Sequence, residues 1–221
     1  MVEEKFPGVF VFSGRIATKS LAPGTKVYGE RIISEAGNEY RSWDPYRSKL
    51  CAAILKGLKE MPIKPGSRVL YLGAASGTTA SHVSDVVGKK GIAYCVEFAP
   101  RTMRDLINVC SVRENMVPIM ADARKPEEYA NYINKKVDII YEDVADPEQA
   151  RIMLANAKAF LKKGGFGMIA IKSQSIDVSK RPEETYRHVL EELESAFDVV
   201  QKMGLNPFDK DHLFVLLKYR G

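Results

Sequence analysis

From Leu70 onward, short apolar runs rich in β-branched residues alternate with longer amphipathic ones, and this alternation constrains the chain more than any other feature. Strand patterns repeat every two residues and helical ones about every 3.6, so the sequence predicts β-α units feeding a mostly parallel sheet. The expected strands are VLYLGAA from Val69, IAYCVEF from Ile92, MVPIMAD from Met116, VDIIYEDV from Val137 and GFGMIAIKS from Gly165. Helical patterns start near Thr78, Pro100, Pro126 and Pro147, the last three with the proline favoured in a first helical turn. After a helix over 181–196, FDVVQKMGL and HLFVLLKYR read as strands close enough to pair as an antiparallel hairpin. The expected class is α/β, with a seven-stranded, mostly parallel sheet ending in that hairpin.

The first 42 residues or so break the pattern. Short runs such as VFVFSG, KVYGER and EYRSW, punctuated by Pro23, Gly24, Gly29 and Gly37, suggest a small antiparallel β unit. The expected division is a β unit over 1–43 and an α/β domain over 44–221. A helix over 44–61, with Leu50, Ala53, Ile54 and Leu58 on one face, is expected to link them and to pack at the sheet edge. A length of 221 residues suits one core with such an appendage.

No apolar run approaches the roughly 18 residues that span a bilayer, and MVEEKFPGVF has acids where a signal peptide is basic. The expected location is therefore cytoplasmic, with no membrane partner. Cys51, Cys95 and Cys110 form no CxxC pair and read as reduced thiols, two of them in apolar segments. A net charge of +5 permits a polyanionic partner without requiring one.

The segment LYLGAASGTTASHVSD carries the first chemical signal. A strand ends near Gly73, small residues run to Gly77, and a helix begins near Thr78. Small residues let a nucleotide-like ligand approach the backbone, and a helix N-terminus offers free amide donors. The run GAASG is not GxGxxG, so the pyrophosphate fingerprint is imperfect; taken alone, a tight turn and a cofactor loop fit equally well. Acids then close three successive strands: Glu97, Asp122 and Asp143. Ligands of open α/β sheets bind at the carboxyl ends of the strands, which puts all three beside one crevice. Glu97 suits a ribose diol, and Asp122 an adenine amino group or a cap on the segment that follows.

LYLGAASGTTASHVSD, YCVEF, ADARKP, EDVADPEQ and RSKL closely resemble fibrillarin in its short archaeal form, over residues 8–219. That family comprises the S-adenosylmethionine-dependent RNA ribose 2′-O-methyltransferases of box C/D particles. The resemblance implies a Rossmann-like methyltransferase fold behind a small N-terminal β unit. It implies a cofactor site at Gly73, Ala74, Ala75, Gly77, Thr78 and Thr79, with Glu97 at the ribose and Phe98 beside the adenine. Asp122 and Ala123 would meet the base's polar edge, and Asp143, Val144, Ala145 and Asp146 the methionine end. Asp146 departs from the pattern, since relatives commonly carry glutamine there.

The resemblance also implies a catalytic group of Lys49, Asp143, Lys172 and His212, found here in the contexts RSKL, EDVAD, AIKS and KDHLF. Their task would be an in-line displacement in which a ribose hydroxyl attacks a sulfonium methyl group. Lys172 is the candidate base, held by Asp143, with Lys49 beside it and His212 orienting the ribose or backbone. No metal is expected, because no His/Cys cluster has ligand spacing. The implied partners are a Nop-family scaffold protein, a kink-turn-binding protein, the box C/D guide RNA and its rRNA or tRNA substrates.

Each of these residues also has a plainer reading. A strand-end lysine usually snorkels to solvent, a helix lysine is a surface cation, and a lone histidine is more often structural. His82 and His188 take that structural reading. Arg47, Arg101, Arg104, Arg124, Lys125, Lys180 and Arg181 are placed to meet phosphates or simply to be solvated. Three rival functions remain at this point: methylation of a protein or small molecule, a non-catalytic particle subunit, and a nicotinamide dehydrogenase.

Overall fold

The computed structural model describes residues 2–176 and 181–221; Lys180 lies outside the described residues. Strands β1 (Glu3–Phe6), β2 (Val9–Phe12), β3 (Arg15–Lys19), β4 (Ile32–Glu35) and β5 (Asn38–Ser42) pair antiparallel in the order β1-β2-β3-β5-β4. The second sheet contains β6 (Arg68–Leu72), β7 (Ile92–Glu97), β8 (Met116–Met120), β9 (Val137–Glu142), β10 (Leu161–Lys172), β11 (Phe197–Gly204) and β12 (His212–Tyr219). Its order is β11-β12-β10-β9-β6-β7-β8, parallel from β8 to β10 and antiparallel across β12 and β11.

This order sets the site. The chain leaves β6 for β7 and β8 on one side, then returns to β9 and β10 on the other, so the strand order reverses beside β6. Such a switch point opens a crevice at the carboxyl ends of the strands. Because β12 runs antiparallel to β10, its first residue, His212, pairs with Lys172, the last residue of β10.

Alternation along the strands buries both faces of the sheet. On one face Tyr71, Tyr141 and Phe214 join a core with α1 (Lys49–Leu55), α2 (Thr78–Val87) and α3 (Pro100–Cys110). On the other, Leu70, Ile140 and Val215 pack with α4 (Gln149–Phe160) and α6 (Pro182–Leu193). Val9, Ile16 and Trp43 of the N-terminal segment belong to the first core, so the small sheet is fused to it.

A buried polar junction completes that fusion. Arg41 meets Glu30 at 2.7 Å and Asp85 at 2.8 Å, and Arg113 reaches Asp85 at 2.6 Å, with every one of these side chains at 0% exposure. His82 bridges Thr18 and Tyr28 and stacks on Trp43, in keeping with its structural reading. Burial, helped by Arg41 and Arg113, holds its imidazole well below the usual range.

Several elements differ from expectation. The linking helix covers only Lys49–Leu55: Ser48 caps its start and Gly57, at φ 95°, lies beyond its end. It packs on the sheet face with Tyr71 and Tyr141, not at the edge, because Leu50, Cys51, Ala53 and Ile54 are all buried. The segment after Pro126 is a 3-10 helix, Pro126–Tyr132, in which only Tyr129 is buried, too little apolar surface for an α-helical stripe. Pro147 precedes α4 by two residues instead of opening it. A short helix, α5 (Ser173–Ile176), follows β10.

Candidate active site

The loop after β6 is shaped by a glycine. Gly73 sits at φ 78°, and a Cβ there would lie 3.0 Å from the Asp143 carbonyl oxygen. The backbone of the β6 loop can thus lie directly against the end of β9, where Asp143 N donates to Leu72 O at 3.0 Å. Gly77, also left-handed at φ 89°, precedes α2 as its N-cap.

Glu97 ties the next strand end to this loop. Its Oε2 accepts from Ala75 N at 2.8 Å, while Oε1 accepts from Phe98 N at 3.0 Å and Ala99 N at 2.8 Å. Oε1 is thus filled by two backbone donors, while Oε2 keeps acceptor capacity for a ribose hydroxyl. Asp122 accepts from Arg124 Nε at 3.0 Å and Nη2 at 2.7 Å, and this hydrogen bonding holds its carboxyl below the usual range. It also accepts from Arg124 N at 3.0 Å and so caps the turn that follows the strand, while Lys125 precedes the 3-10 helix without a side-chain cap. Asp146 accepts from Glu148 N at 2.8 Å and lies 3.8 Å from Arg124.

These residues surround a cleft of about 380 Å³ at the switch point, with Phe98 two-thirds exposed at its rim. A larger hollow of about 530 Å³ beneath the N-terminal sheet lies away from the strand ends, so position and not size selects the site.

Lys172 forms part of the cleft wall and begins a row of charges. Its Nζ lies 2.8 Å from Asp143 Oδ1 and donates to the Asp143 carbonyl oxygen at 2.7 Å. Lys49, first residue of α1, reaches Asp143 Oδ1 at 3.2 Å and Asp209 Oδ2 at 3.5 Å. Asp209 Oδ1 in turn lies 2.7 Å from His212 Nδ1. Ser48 accepts from Thr79 Oγ1 at 3.0 Å, which joins the start of α1 to α2 and fixes Lys49 over the site. Gln149, fully buried, accepts from Lys172 N and donates to the Val144 carbonyl, bracing the strand end from beneath.

The family model described as Fibrillarin matches residues 1–221. The chain belongs to the fibrillarin family. It is 58% identical over 222 residues, 98% of each chain, to the fibrillarin-like rRNA/tRNA 2'-O-methyltransferase of Thermococcus onnurineus. Among solved structures it is similar to the Methanococcus jannaschii fibrillarin pre-rRNA processing protein, with a TM-score of 0.95 and 53% identity over 100% of this chain and 98% of that one. Aeropyrum pernix fibrillarin with natively bound S-adenosyl-L-methionine gives a TM-score of 0.90 at 49% identity, over 98% and 97% of the chains. The fibrillarin/Nop5p complex gives 0.90 at 40%, over 99% and 100%.

Of the cofactor positions carried over from the fibrillarin pattern, Gly73, Ala75, Glu97, Phe98, Asp122 and Ala123 line the cleft, as do Asp143, Val144, Ala145 and Asp146. Ala74 and Thr79 are buried, and neither they nor Gly77 and Thr78 reach the cleft wall. Ala99, Thr102, Arg124 and Ile152 also line it without having been expected to. Lys49, Asp143 and Lys172 meet directly, whereas His212 joins them through Asp209. Sequence reasoning passed over Asp209; its only signal was an acid three residues before His212. Of the scattered basic residues, Arg47 lies over the Tyr28 ring, Lys125 pairs with Glu128 and Arg181 with Glu184, while Arg101 and Arg104 are exposed.

Proposed function

We propose that this chain is an S-adenosylmethionine-dependent RNA ribose 2′-O-methyltransferase, the catalytic subunit of a box C/D guide RNA–protein particle acting on rRNA and tRNA. The observation that carries the reading is the meeting of Lys49 and Lys172 on Asp143, beside a nucleoside-sized cleft that Asp143 and Lys172 line. The cleft fits the cofactor: Gly73, Ala75 and Ala145 keep their part of its wall free of bulky side chains, Glu97 offers an acceptor to a ribose, and Phe98 offers a ring to an adenine. Asp122 and Ala123 would hold the base edge, and the 143–146 loop the methionine end. When bound, S-adenosylmethionine supplies a methyl group on a positively charged sulfur.

The chain's own residues have to position a hydroxyl and remove its proton. Asp143 holds Lys172 and Lys49 on one side of the cleft, and His212 stands at the far end of the row. A fixed cation there favours the oxygen as it gains negative character, and a positioned base takes its hydrogen. An amine or thiol acceptor would need less of this apparatus, which disfavours the protein and small-molecule readings. Residues 1–43 form the small β unit in this reading and 44–221 the methyltransferase domain.

No RNA-reading module is legible in the sequence, so target choice falls to base pairing in a guide. A Nop-family scaffold and a kink-turn-binding protein would bring that guide to the cleft; the Nop5p-bound relative supports the first of these. Intracellular placement follows from such partners, and among the described residues no helix is long and apolar enough to cross a membrane. The test is transfer of labelled methyl to a guide-paired RNA, with and without the partner proteins. Transfer in the assembled particle alone is expected, and efficient, sequence-selective transfer by the free chain would contradict the guided reading. S-adenosylmethionine, and not a nicotinamide cofactor, is expected to raise the melting temperature.

A further inference from the structure

Five side chains form a row of alternating partners across the ends of β9, β10 and α1: Lys172, Asp143, Lys49, Asp209 and His212. Two lysines face two carboxylates, and an imidazole ends the row. The His212 ring is informative because both neighbours of Nδ1 are acceptors. Asp209 Oδ1 lies 2.7 Å away and the Lys210 carbonyl oxygen 2.6 Å. Neither a carboxylate nor a carbonyl can donate, so Nδ1 carries the hydrogen, and in the neutral ring Nε2 holds the lone pair. Among the described residues Nε2 has no hydrogen-bond partner. Lys172 is placed differently, with Nζ donating to the Asp143 carbonyl oxygen at 2.7 Å and lying 2.8 Å from Asp143 Oδ1.

A ribose hydroxyl has one hydrogen to give, so a single base receives it. Resting on the methyltransferase reading above, we propose that Asp209 is a positioning residue that holds His212 with Nε2 free, and that Nε2, not Lys172, takes the proton. As the 2′-oxygen bonds to the methyl carbon, the methyl–sulfur bond breaks with its electron pair left on sulfur. The hydroxyl proton passes to Nε2 and later to solvent. The imidazolium formed in that step has the Asp209 carboxylate against its other nitrogen, the arrangement by which an aspartate steadies the histidine of a hydrolytic triad. Lys172, at the cleft wall, then serves as the fixed positive charge beside the oxygen.

Asp209→Asn removes the anion at nearly constant size, and Asp209→Glu restores it. The Asn variant is expected to slow single-turnover methyl transfer by about tenfold to a hundredfold, part of the roughly 10²–10⁴ that a positioned base contributes. S-adenosylmethionine affinity should hold, and the Glu variant should recover most of the rate. Adding Asp209→Asn to His212→Ala should cost little beyond His212→Ala alone, since the aspartate acts through the ring. Nitrogen-15 NMR on histidine-labelled full chain, without RNA, provides a readout independent of activity. The His212 ring should show its hydrogen on Nδ1, bonded to the Lys210 carbonyl and shifted downfield by the Asp209 anion 2.7 Å away, moving upfield in Asp209→Asn. An undiminished rate in Asp209→Asn, additive losses in the double variant, or a wild-type ring protonated on Nε2 each overturns the proposal. If the assembled wild type transfers no methyl group, the functional reading fails, while the NMR result still decides the role of Asp209.

Discussion

Two groups of ion pairs in this chain meet solvent differently. Arg41, Glu30, Asp85 and Arg113 are sealed at 0% side-chain exposure, whereas Lys49, Asp143, Lys172 and Asp209 keep between 14% and 30%. Within the sealed group, Asp85 accepts from Arg41, Arg113, Thr18 and the Leu21 amide, so its capacity is used internally. Charges buried this way specify how the small sheet sits on α2, with no exposed side-chain surface for a ligand to meet. The open row keeps contact with a cleft, and its lysines and imidazole retain donors and a lone pair for something that binds there. The histidines repeat the contrast: His82 is engaged at both ring nitrogens, and His212 at one.

The comparison breaks most visibly at Asp85. Asp85→Asn is expected to lower unfolding free energy by roughly 3–5 kcal/mol, because Arg113 stays buried without its anion and Arg41 keeps only Glu30. Denaturant titration measures the loss, and the remaining folded protein should transfer methyl groups at the normal rate. Lys172→Ala should do the reverse. A drop of about 10²–10³ in single-turnover rate is expected for removal of one oxygen-stabilising group, with little change in melting temperature or cofactor affinity. A rate loss in the first variant equal to that in the second would erase the distinction between the clusters.

Gly73→Ala sharpens the boundary between them. A non-glycine residue in this left-handed turn costs about 1–3 kcal/mol, and its Cβ would press on the Asp143 carbonyl. Calorimetric titration should show weakened S-adenosylmethionine binding alongside lowered stability. The smallest expected effect lies at Glu142, next to the row but facing the opposite side of the sheet. Among the described residues its carboxyl oxygens are buried without hydrogen-bond partners, and burial, with Asp146 nearby, holds its carboxyl well above the usual range against the opposing pull of Lys172. A raised folded-state pKa means the group's contribution is intact below the unfolded value of about 4.5 and is lost as pH climbs toward the folded one. Glu142→Gln, shaped like the neutral acid, should therefore flatten the fall in stability above that pH. Melting curves across a pH series check this, and parallel curves for the two proteins would contradict it.

Periodicity made the large sheet legible, and the acids at strand ends pointed to the cleft. Glu97, Asp122 and Asp143 stand where the strand pattern put them, because a parallel sheet brings every carboxyl end to one edge. Local reasoning failed where tertiary packing decided. The apolar face over 44–61 reads as one helix, yet a cap at Ser48 and a turn at Gly57 cut it to Lys49–Leu55. Thr79 donates to Ser48, a contact between α2 and the start of α1 that no local pattern announces. The sealed junction was not legible at all, since Arg41, Asp85 and Arg113 are far apart in sequence and each alone reads as a surface charge. Asp209 escaped for a related reason: nothing local tells an acid that meets a lysine of α1 from one that faces water.

The most direct test of the central claim is methyl transfer in the assembled particle to two guide-paired RNAs that differ only in the 2′-hydroxyl of the target nucleotide. The account predicts transfer to the ribose and none to the deoxyribose. Equal transfer to both would mean that the open row serves another acceptor.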